Sequence, residues 1–173
     1  FDRFNDGYLT EYPGYYCSGD GGYIDEDGYL FVMGRTDDVI NVAGHRLSTG
    51  EMEEVLASHP AVAECSVIGI HDNLKGQIPV GMTLLKDGAD ISAEQLEKEL
   101  VAMVRKEIGP LACLKQTIVV PRLPKTRSGK ILRKLLRQIA ENQDIVVPST
   151  IDDPASVSES QGIMQSNGLV KKS

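Results

Sequence analysis

A basic loop that presents one lysine is the stretch of this sequence best suited to chemistry on an anion. The loop runs from Pro124 to Lys130 and carries Ser128 and Gly129 just before the lysine. Ser128 is placed to cap a following helix, so Lys130 would lie at a helix N-terminus, where the dipole also favours anions. The pattern indicates an ammonium directed at a phosphate or carboxylate. A basic loop ahead of an amphipathic helix also fits an ordinary surface feature.

A second stretch, residues 34–47, combines a short apolar strand with two carboxylates, a Gly turn and two arginines. Further upstream, Asp20 follows Gly19 at the end of a strand-like segment. A carboxylate in that position is suited to accept hydrogen bonds from two vicinal hydroxyls, as on a ribose. An Asx-type turn explains the same residues without any ligand.

Composition and charge narrow the function classes. The net charge of -7 argues against general nucleic-acid affinity. However, residues 101–137 hold ten basic residues and one acid, which suits either a focused anion site or a solvated helix face. The lysine loop lacks the residues of a phosphate-binding P-loop, and no aromatics are interleaved for base stacking. Three scattered cysteines predict no disulfide framework, and no apolar run reaches the ~20 residues of a membrane span.

The elements that would position these groups form an α+β domain. A hairpin is predicted at residues 22–33, and strands at 39–42, 62–70, 78–85 and 117–120. Capping boxes at Ser48 and Ser92 begin two helices, and an apolar stripe follows Lys130 in a third. We therefore expect a small domain over residues 36–141, with helices packed on about three strands. Residues 1–35 would be a β-hairpin remnant of a larger N-terminal domain, and residues 142–173 a disordered tail.

Together the two motifs resemble the hinge and the catalytic-lysine loop of the AMP-forming acyl-CoA synthetases. The resemblance is strongest to the short-chain acetyl/propionyl-CoA synthetase branch and runs from about Tyr15 to Ala140. It implies that Lys130 bridges the carboxylate substrate and the α-phosphate of ATP. It also implies that Asp37 is the pivot of a rotating C-terminal domain. Asp20 would bind the ribose, and Arg35 and Arg46 would contact the nucleotide.

The same resemblance implies a coenzyme A site and a cation site. Gly44 matches the glycine beside the pantetheine arm. Ala43 replaces the Ser common there, so a hydrogen bond to coenzyme A is lost. Arg105 matches a contact to a coenzyme A phosphate, although an exposed helix arginine fits it equally. The implied cation site at the His59–Pro60 turn consists of Ala57, His59 and Val62.

The predicted function is therefore the C-terminal portion of a ligase. It would activate acetate, propionate or butyrate with ATP and Mg²⁺, and then transfer the acyl group to coenzyme A. The chain alone is expected to be inactive without its N-terminal domain, and Lys130 would be a target of a lysine acetyltransferase and deacetylase. The alternative is a non-catalytic module that binds coenzyme A or a partner. Neither nucleic acid nor membrane is expected as a partner, and either the mitochondrial matrix or the cytoplasm suits reduced cysteines.

Overall fold

The computed structural model describes residues 2–171, and the chain divides into two compact units, one ending at Val39 and the other beginning at Ile40. The first unit contains helix α1 (Asp2–Tyr8) and the antiparallel strands β1 (Asp20–Ile24) and β2 (Leu30–Arg35). The predicted hairpin is confirmed, whereas α1 was not predicted. The boundary between the units lies four residues beyond the predicted end of the first domain at residue 35.

The hairpin of the first unit leaves much of its apolar surface uncovered. The rings of Tyr23 and Phe31 stack with centroids 4.9 Å apart, yet the two residues are 53% and 43% exposed. Neighbouring Ile24 and Leu30 are still more exposed. A two-stranded ribbon buries too little surface to be stable by itself, so this face is suited to contact with further protein.

The second unit is built on a five-stranded sheet. Its strands are β3 (Val39–Val42), β4 (His45–Ser48), β5 (Val62–Asp72), β6 (Gly76–Leu85) and β7 (Gln116–Val119). The spatial order is β4-β3-β6-β5, and β7 pairs in parallel with β6. The α+β class is confirmed, but the expectation of about three strands is wrong. Strand β4, which follows the turn at Gly44 and lies beside β3, was not predicted.

Four helices cover both faces of this sheet. They are α2 (Thr49–Ala57), α3 (Ala93–Glu107), α4 (Arg133–Ala140) and α5 (Ala155–Ser166). The two predicted N-cap serines are confirmed, because Ser48 Oγ accepts from the Glu51 N–H and Ser92 Oγ accepts from the Gln95 N–H. Helices α2 and α3 share an apolar cluster with Val67, and α4 and α5 share a second cluster with Ile68. Successive residues of β5 therefore supply the two faces, as pleating requires.

The C-terminal residues are part of the second unit, which corrects the expectation of a disordered tail. Helix α5 lies in the segment predicted to be structureless, and Ile151, Val157, Met164 and Leu169 are buried against α4 and the sheet. The segment is rich in Ser, Gln and Gly, but Val157 and Met164 recur at helical spacing, and both face the core. None of the helices in residues 2–171 has both the length and the apolar character needed to cross a membrane.

Because Met164 is fully buried, we predict that Met164→Ala lowers the free energy of unfolding by about 2–5 kcal/mol. Val146→Ala is the matched control in the same segment, since Val146 is 81% exposed, and it should change the stability by less than about 0.5 kcal/mol. Urea unfolding of the two variants measures the difference. Equal, small effects would mean that the C-terminal segment is not packed on the core.

Candidate functional site

Asp20 and Arg35, two residues predicted to bind a nucleotide, lie opposite each other in the hairpin of the first unit. They are direct partners in the β1–β2 register, and Arg35 Nη1 lies 3.9 Å from Asp20 Oδ1. Arg35 also donates from Nη1 to the Ser18 carbonyl at 2.8 Å and from Nε to Asp37 Oδ1 at 3.2 Å. The hydrogen bond to Asp37 raises the pKa of Arg35 above its ordinary value, against a smaller opposing effect of desolvation.

The turn that precedes Asp20 lies directly against the side chain of Arg35. Gly19 has a φ of 75°, and a Cβ added there would lie 3.0 Å from Arg35 Nη2. Ser18 Oγ accepts from the Asp20 N–H at 3.2 Å, so the serine makes the local turn bond. The side chain of Asp20 is therefore not used as an Asx-type cap and stays exposed beside the guanidinium.

A cavity of about 590 Å³ lies within the first unit next to this pair. Asp20, Arg35 and three tyrosines line it, and the rings of Tyr8 and Tyr16 stack with centroids 5.0 Å apart. A carboxylate can accept hydrogen bonds from hydroxyls, a guanidinium can donate to an anion, and an aromatic ring can contact a base. The combination suits a nucleotide, although the individual roles of Asp20 and Arg35 stay predictions.

Asp37 lies in a short 3₁₀ turn, Thr36–Asp38, directly before the division between the two units. The turn is held by Thr36, whose N–H and hydroxyl both donate to the Gly19 carbonyl, at 2.8 and 3.0 Å. A short polar segment between two compact units is where a pivot would be expected. The role of Asp37 as the pivot is still a prediction.

Ala43 and Gly44 form the turn between β3 and β4, and Arg46 follows in β4. Ala43 and Gly44 have φ values of 48° and 87°, as the two central residues of a tight primed turn require. A Cβ added to Gly44 would contact nothing within 4 Å, so the backbone conformation alone explains the glycine in this structure. All three residues are exposed, and their predicted roles toward coenzyme A and nucleotide are untested.

Lys130 lies in a tight turn rather than at a helix N-terminus, which corrects the sequence prediction. Helix α4 begins only at Arg133, and Ser128 does not cap it. Thr126 organises the turn: its N–H donates to the Lys130 carbonyl at 2.9 Å, and its Oγ1 accepts from the Lys130 N–H at 3.1 Å. The side chain of Lys130 is exposed, and within residues 2–171 its ammonium forms no ion pair.

Two ion pairs hold the chain on either side of this turn. Lys125, before the turn, pairs with Glu64 of β5. Arg133, after the turn, donates from Nε and Nη2 to the two carboxylate oxygens of Glu53 in α2, at 2.8 and 2.5 Å. Glu53 also accepts from the Val67 N–H at 2.8 Å, which joins α2, β5 and α4 in one network. The turn is thus tied to the sheet and to α2 while its tip stays in solvent.

A cavity of about 510 Å³ lies between α2 and the lysine turn, and Cys65 forms part of its wall. Desolvation by burial, followed by the charge of Glu53, raises the pKa of the Cys65 thiol to about 11. The thiol donates to the Glu53 carbonyl at 3.3 Å. Cys65 is therefore protonated at neutral pH and is not a nucleophile.

The remaining predicted residues, Arg105 and the His59 turn, are distant in sequence from the lysine turn. Arg105 is exposed in the last turn of α3, and no hydrogen bond or ion pair among the described residues joins it to Lys130. His59 is buried, its Nδ1 accepts from the Ala61 N–H, and its Nε2 therefore donates to Glu99 at 2.9 Å. The imidazole ring is not available to bind a metal ion, because both of its nitrogens form hydrogen bonds within the chain.

For the predicted cation site, ligation by the carbonyls of Ala57 and Val62 stays a prediction. Within the described part of the chain, no group of three or more His, Cys, Asp or Glu side chains is placed to hold a metal ion.

Known proteins share sequence and fold with this chain. Residues 51–130 match the family model of the AMP-binding enzyme C-terminal domain, and the match ends at Lys130. The chain is 62% identical over 163 residues to an uncharacterized protein of Pseudomonas aeruginosa, covering 94% of this chain and 26% of the relative. It is 52% identical over 152 residues to acyl-CoA synthetase short-chain family member B, mitochondrial, of Dictyostelium discoideum, covering 88% and 22%. It is also 50% identical over 160 residues to the acetyl-coenzyme A synthetase of Bdellovibrio bacteriovorus, covering 91% and 25%.

Solved structures give the same result for the fold. ATP-bound MatB from Rhodopseudomonas palustris matches with a TM-score of 0.65 and 25% identity, over 78% of this chain and 25% of that chain. The amide bond synthetase McbA from Marinactinospora thermotolerans matches with a TM-score of 0.64 and 30% identity, over 79% and 26%. The chain spans about a quarter of the length of these relatives.

The fold resembles a part of ATP-bound MatB and of McbA. Residues 51–130 match the AMP-binding enzyme C-terminal domain, and the chain is similar over 88% and 91% of its length to a part of a short-chain acyl-CoA synthetase and of an acetyl-coenzyme A synthetase.

Sequence reasoning missed the residues that hold the lysine turn. The segment from Ser149 to Asp153 contacts the turn, and Arg122 binds Asp153 at the end of that segment; neither feature was predicted. The buried Ile151 and the helical spacing of Val157 and Met164 were the available signals, but the surrounding Ser and Gln residues obscured them. The ion-pair partners Glu53 and Glu64 carry no local sequence signal, since each meets a residue more than sixty positions away.

The raised pKa of Cys65 gives a testable reactivity. At pH 8 its thiolate fraction should be about a hundredfold lower than that of a cysteine with an ordinary pKa, since each pKa unit is a factor of ten. A thiol-specific reagent should therefore modify Cys65 about a hundredfold more slowly in the folded chain than in denaturant. Mass spectrometry of the labelled peptides measures this rate, with Cys17 and Cys113 as internal controls. Equal rates in the folded and denatured chain would show that the thiol is not buried as described.

Proposed function

We propose that this chain is the C-terminal portion of a ligase that activates a short-chain carboxylate with ATP and transfers it to coenzyme A. In the first step a carboxylate oxygen attacks the α-phosphorus of ATP, forming acyl-AMP and releasing pyrophosphate. In the second step the thiol sulfur of coenzyme A attacks the acyl carbon, and AMP leaves. The observation that carries the proposal is the exposed ammonium of Lys130 on a braced turn, at the end of the matched domain.

Lys130 would act in the first step by electrostatic stabilisation. Attack on phosphorus concentrates negative charge on the phosphoryl oxygens, and a fixed ammonium beside them lowers the barrier. The backbone of Lys130 is held by Thr126, and its side chain forms no ion pair with any described residue, so no such pair has to be broken before the charge can act. Acetate, propionate and butyrate are the proposed substrates, in keeping with the names of the relatives.

The first unit would contribute half of the nucleotide site. Asp20 would accept hydrogen bonds from the ribose hydroxyls, and Arg35 would donate to the nucleotide. Their proximity in one cavity supports this assignment. Mg²⁺ would accompany ATP. The uncovered face of the hairpin around Tyr23 and Phe31 would pack on the rest of the large N-terminal domain.

The second unit would rotate about Asp37 between the two steps. After rotation, the exposed turn of Ala43 and Gly44 would lie along the pantetheine arm, and Arg105 would contact a phosphate of coenzyme A. Arg46 would reach a phosphate in one of the two orientations. The exposure of all these residues is consistent with ligands shared with the N-terminal domain. Without that domain the chain would not form acyl-AMP.

The exposed ammonium of Lys130 would also be a site of regulation. A lysine acetyltransferase could reach it in the described turn, and acetylation would remove the charge. A deacetylase would restore it. The proposed compartment is the mitochondrial matrix or the cytoplasm, and the Dictyostelium relative is named as mitochondrial.

We predict that Lys130→Ala in the full-length ligase lowers the rate of acyl-AMP formation about 100- to 1000-fold, the usual cost of removing one stabilising group from a phosphoryl or oxyanion site. Thioester formation from supplied acyl-AMP should be unchanged. Pyrophosphate release and thioester production measure the two steps separately. Lys134→Ala is the control, since Lys134 is a neighbouring exposed lysine on α4, and it should leave both steps intact. Full pyrophosphate release by the Lys130 variant would contradict the proposed function.

A further inference from the structure

The lysine turn is one edge of a small three-stranded ribbon that the C-terminal segment completes. Lys125 forms an antiparallel bridge with Ile131, and Thr126 forms a second antiparallel bridge with Ile151. We call residues 149–153 the C-terminal strap. Two main-chain hydrogen bonds hold the strap to the ribbon: the Asp152 N–H donates to the Lys125 carbonyl at 2.9 Å, and the Arg127 N–H donates to the Thr150 carbonyl at 3.0 Å.

The strap is anchored to the domain at both of its ends and at its centre. Arg127 donates from Nη2 to the Ser149 carbonyl at 3.3 Å, and the side chain of Ile151 is only 4% exposed within the apolar cluster of α4 and α5. At the far end, Asp153 accepts from Arg122 at 2.5 Å and also from the Ala155 N–H at 2.9 Å. These contacts hold the strap in addition to its two main-chain hydrogen bonds to the ribbon.

Arg122 forms a charged clamp across this junction. It precedes the lysine turn in the chain, and its Nε and Nη2 each donate to a carboxylate oxygen of Glu159 in α5 at 2.7 Å. With Asp153, Glu159 makes three charge-assisted hydrogen bonds to one guanidinium. These bonds lower the pKa of Glu159, and together with the stronger effect of the Ala155 N–H they lower that of Asp153. Both carboxylates are therefore ionised at neutral pH.

A short ribbon without such support is only marginally stable in water. The segment 125–127 pairs with the strap on one side and with Lys130 and Ile131 on the other. This segment is therefore the central strand of the ribbon. Displacement of the strap would remove one of the two neighbours of that strand. The position of the Lys130 ammonium would then depend on the bonds to Thr126 and on the ion pairs of Lys125 and Arg133.

We propose that the C-terminal strap and the Arg122 clamp position Lys130 for acyl-AMP formation, so that Arg122 is a positioning residue that never touches substrate. The inference rests on the proposed function of Lys130. A displacement of about 1 Å at a reacting group costs up to about 100-fold in rate, so loss of the clamp should slow this step by about 10- to 100-fold. The thioester step does not need Lys130 and is expected to be insensitive.

The structural half of the proposal is tested on the 173-residue chain itself by residue-resolved amide hydrogen exchange. Arg122→Ala should speed exchange about tenfold or more at Arg127, Lys130 and Asp152, while Val67 and Val80 in the β5–β6 core exchange as before. Lys106→Ala, which removes an exposed ion pair on α3, is the control and should change none of these rates. Unchanged exchange at the ribbon, or equal acceleration in the core, would overturn the proposal.

The functional half is tested in the full-length ligase by the two partial reactions. Arg122→Glu should lower kcat for acyl-AMP formation about 10- to 100-fold and leave thioester formation from supplied acyl-AMP unchanged. Adding Glu159→Arg should restore part of the lost rate, because the pair between positions 122 and 159 is re-formed with its signs exchanged, whereas the bond to Asp153 is not. Parallel loss of both reactions, or no recovery in the double variant, would overturn the positioning role. The Lys130→Ala variant is assayed alongside. If the proposed function is wrong, that variant keeps its rate of acyl-AMP formation. If only the positioning role of Arg122 is wrong, the Lys130→Ala variant is still slow.

Discussion

The hydrogen bonds between Thr126 and Lys130 are the constraint on which the candidate site depends. Thr126 binds both the N–H and the carbonyl of Lys130, through its own side chain and N–H respectively. The backbone polar groups of the lysine are therefore satisfied inside a tight turn, and only its side chain extends into solvent. The backbone of the lysine is thus fixed, whereas its side chain stays free to move until it binds a ligand.

The rest of the second unit keeps this turn at a fixed place. The β5–β6 pair is covered on both faces, by α2 and α3 on one side and by α4 and α5 on the other. Each face also supplies a carboxylate that binds an arginine near the turn in sequence. Glu53 of α2 binds Arg133, and Glu159 of α5 binds Arg122. Loss of either helix would therefore disturb both the core and the site.

The sequence was most informative where the signal is local. The capping serines, the hairpin of the first unit and the α+β class follow from turn chemistry and short-range periodicity, and the structure confirms them. It was least informative for pairings across long separations, such as Lys125 with Glu64, and for β4, whose pairing depends on the positive φ of Ala43 and Gly44. Composition was misleading for residues 142–171, because a few buried apolar side chains outweigh a majority of polar residues. The sequence motif around Lys130 correctly located the exposed lysine but not the kind of turn that holds it.

The most direct measurement of the role proposed for Lys130 is a crystal structure of the full-length protein with a non-hydrolysable acyl-AMP analogue bound. The account predicts one orientation of the second unit in which Lys130 Nζ lies within hydrogen-bond distance of the phosphate, with the bonds from Thr126 and the strap intact. If the ammonium remained in solvent, away from the phosphate, in every orientation captured with this analogue and with coenzyme A, the account would be wrong.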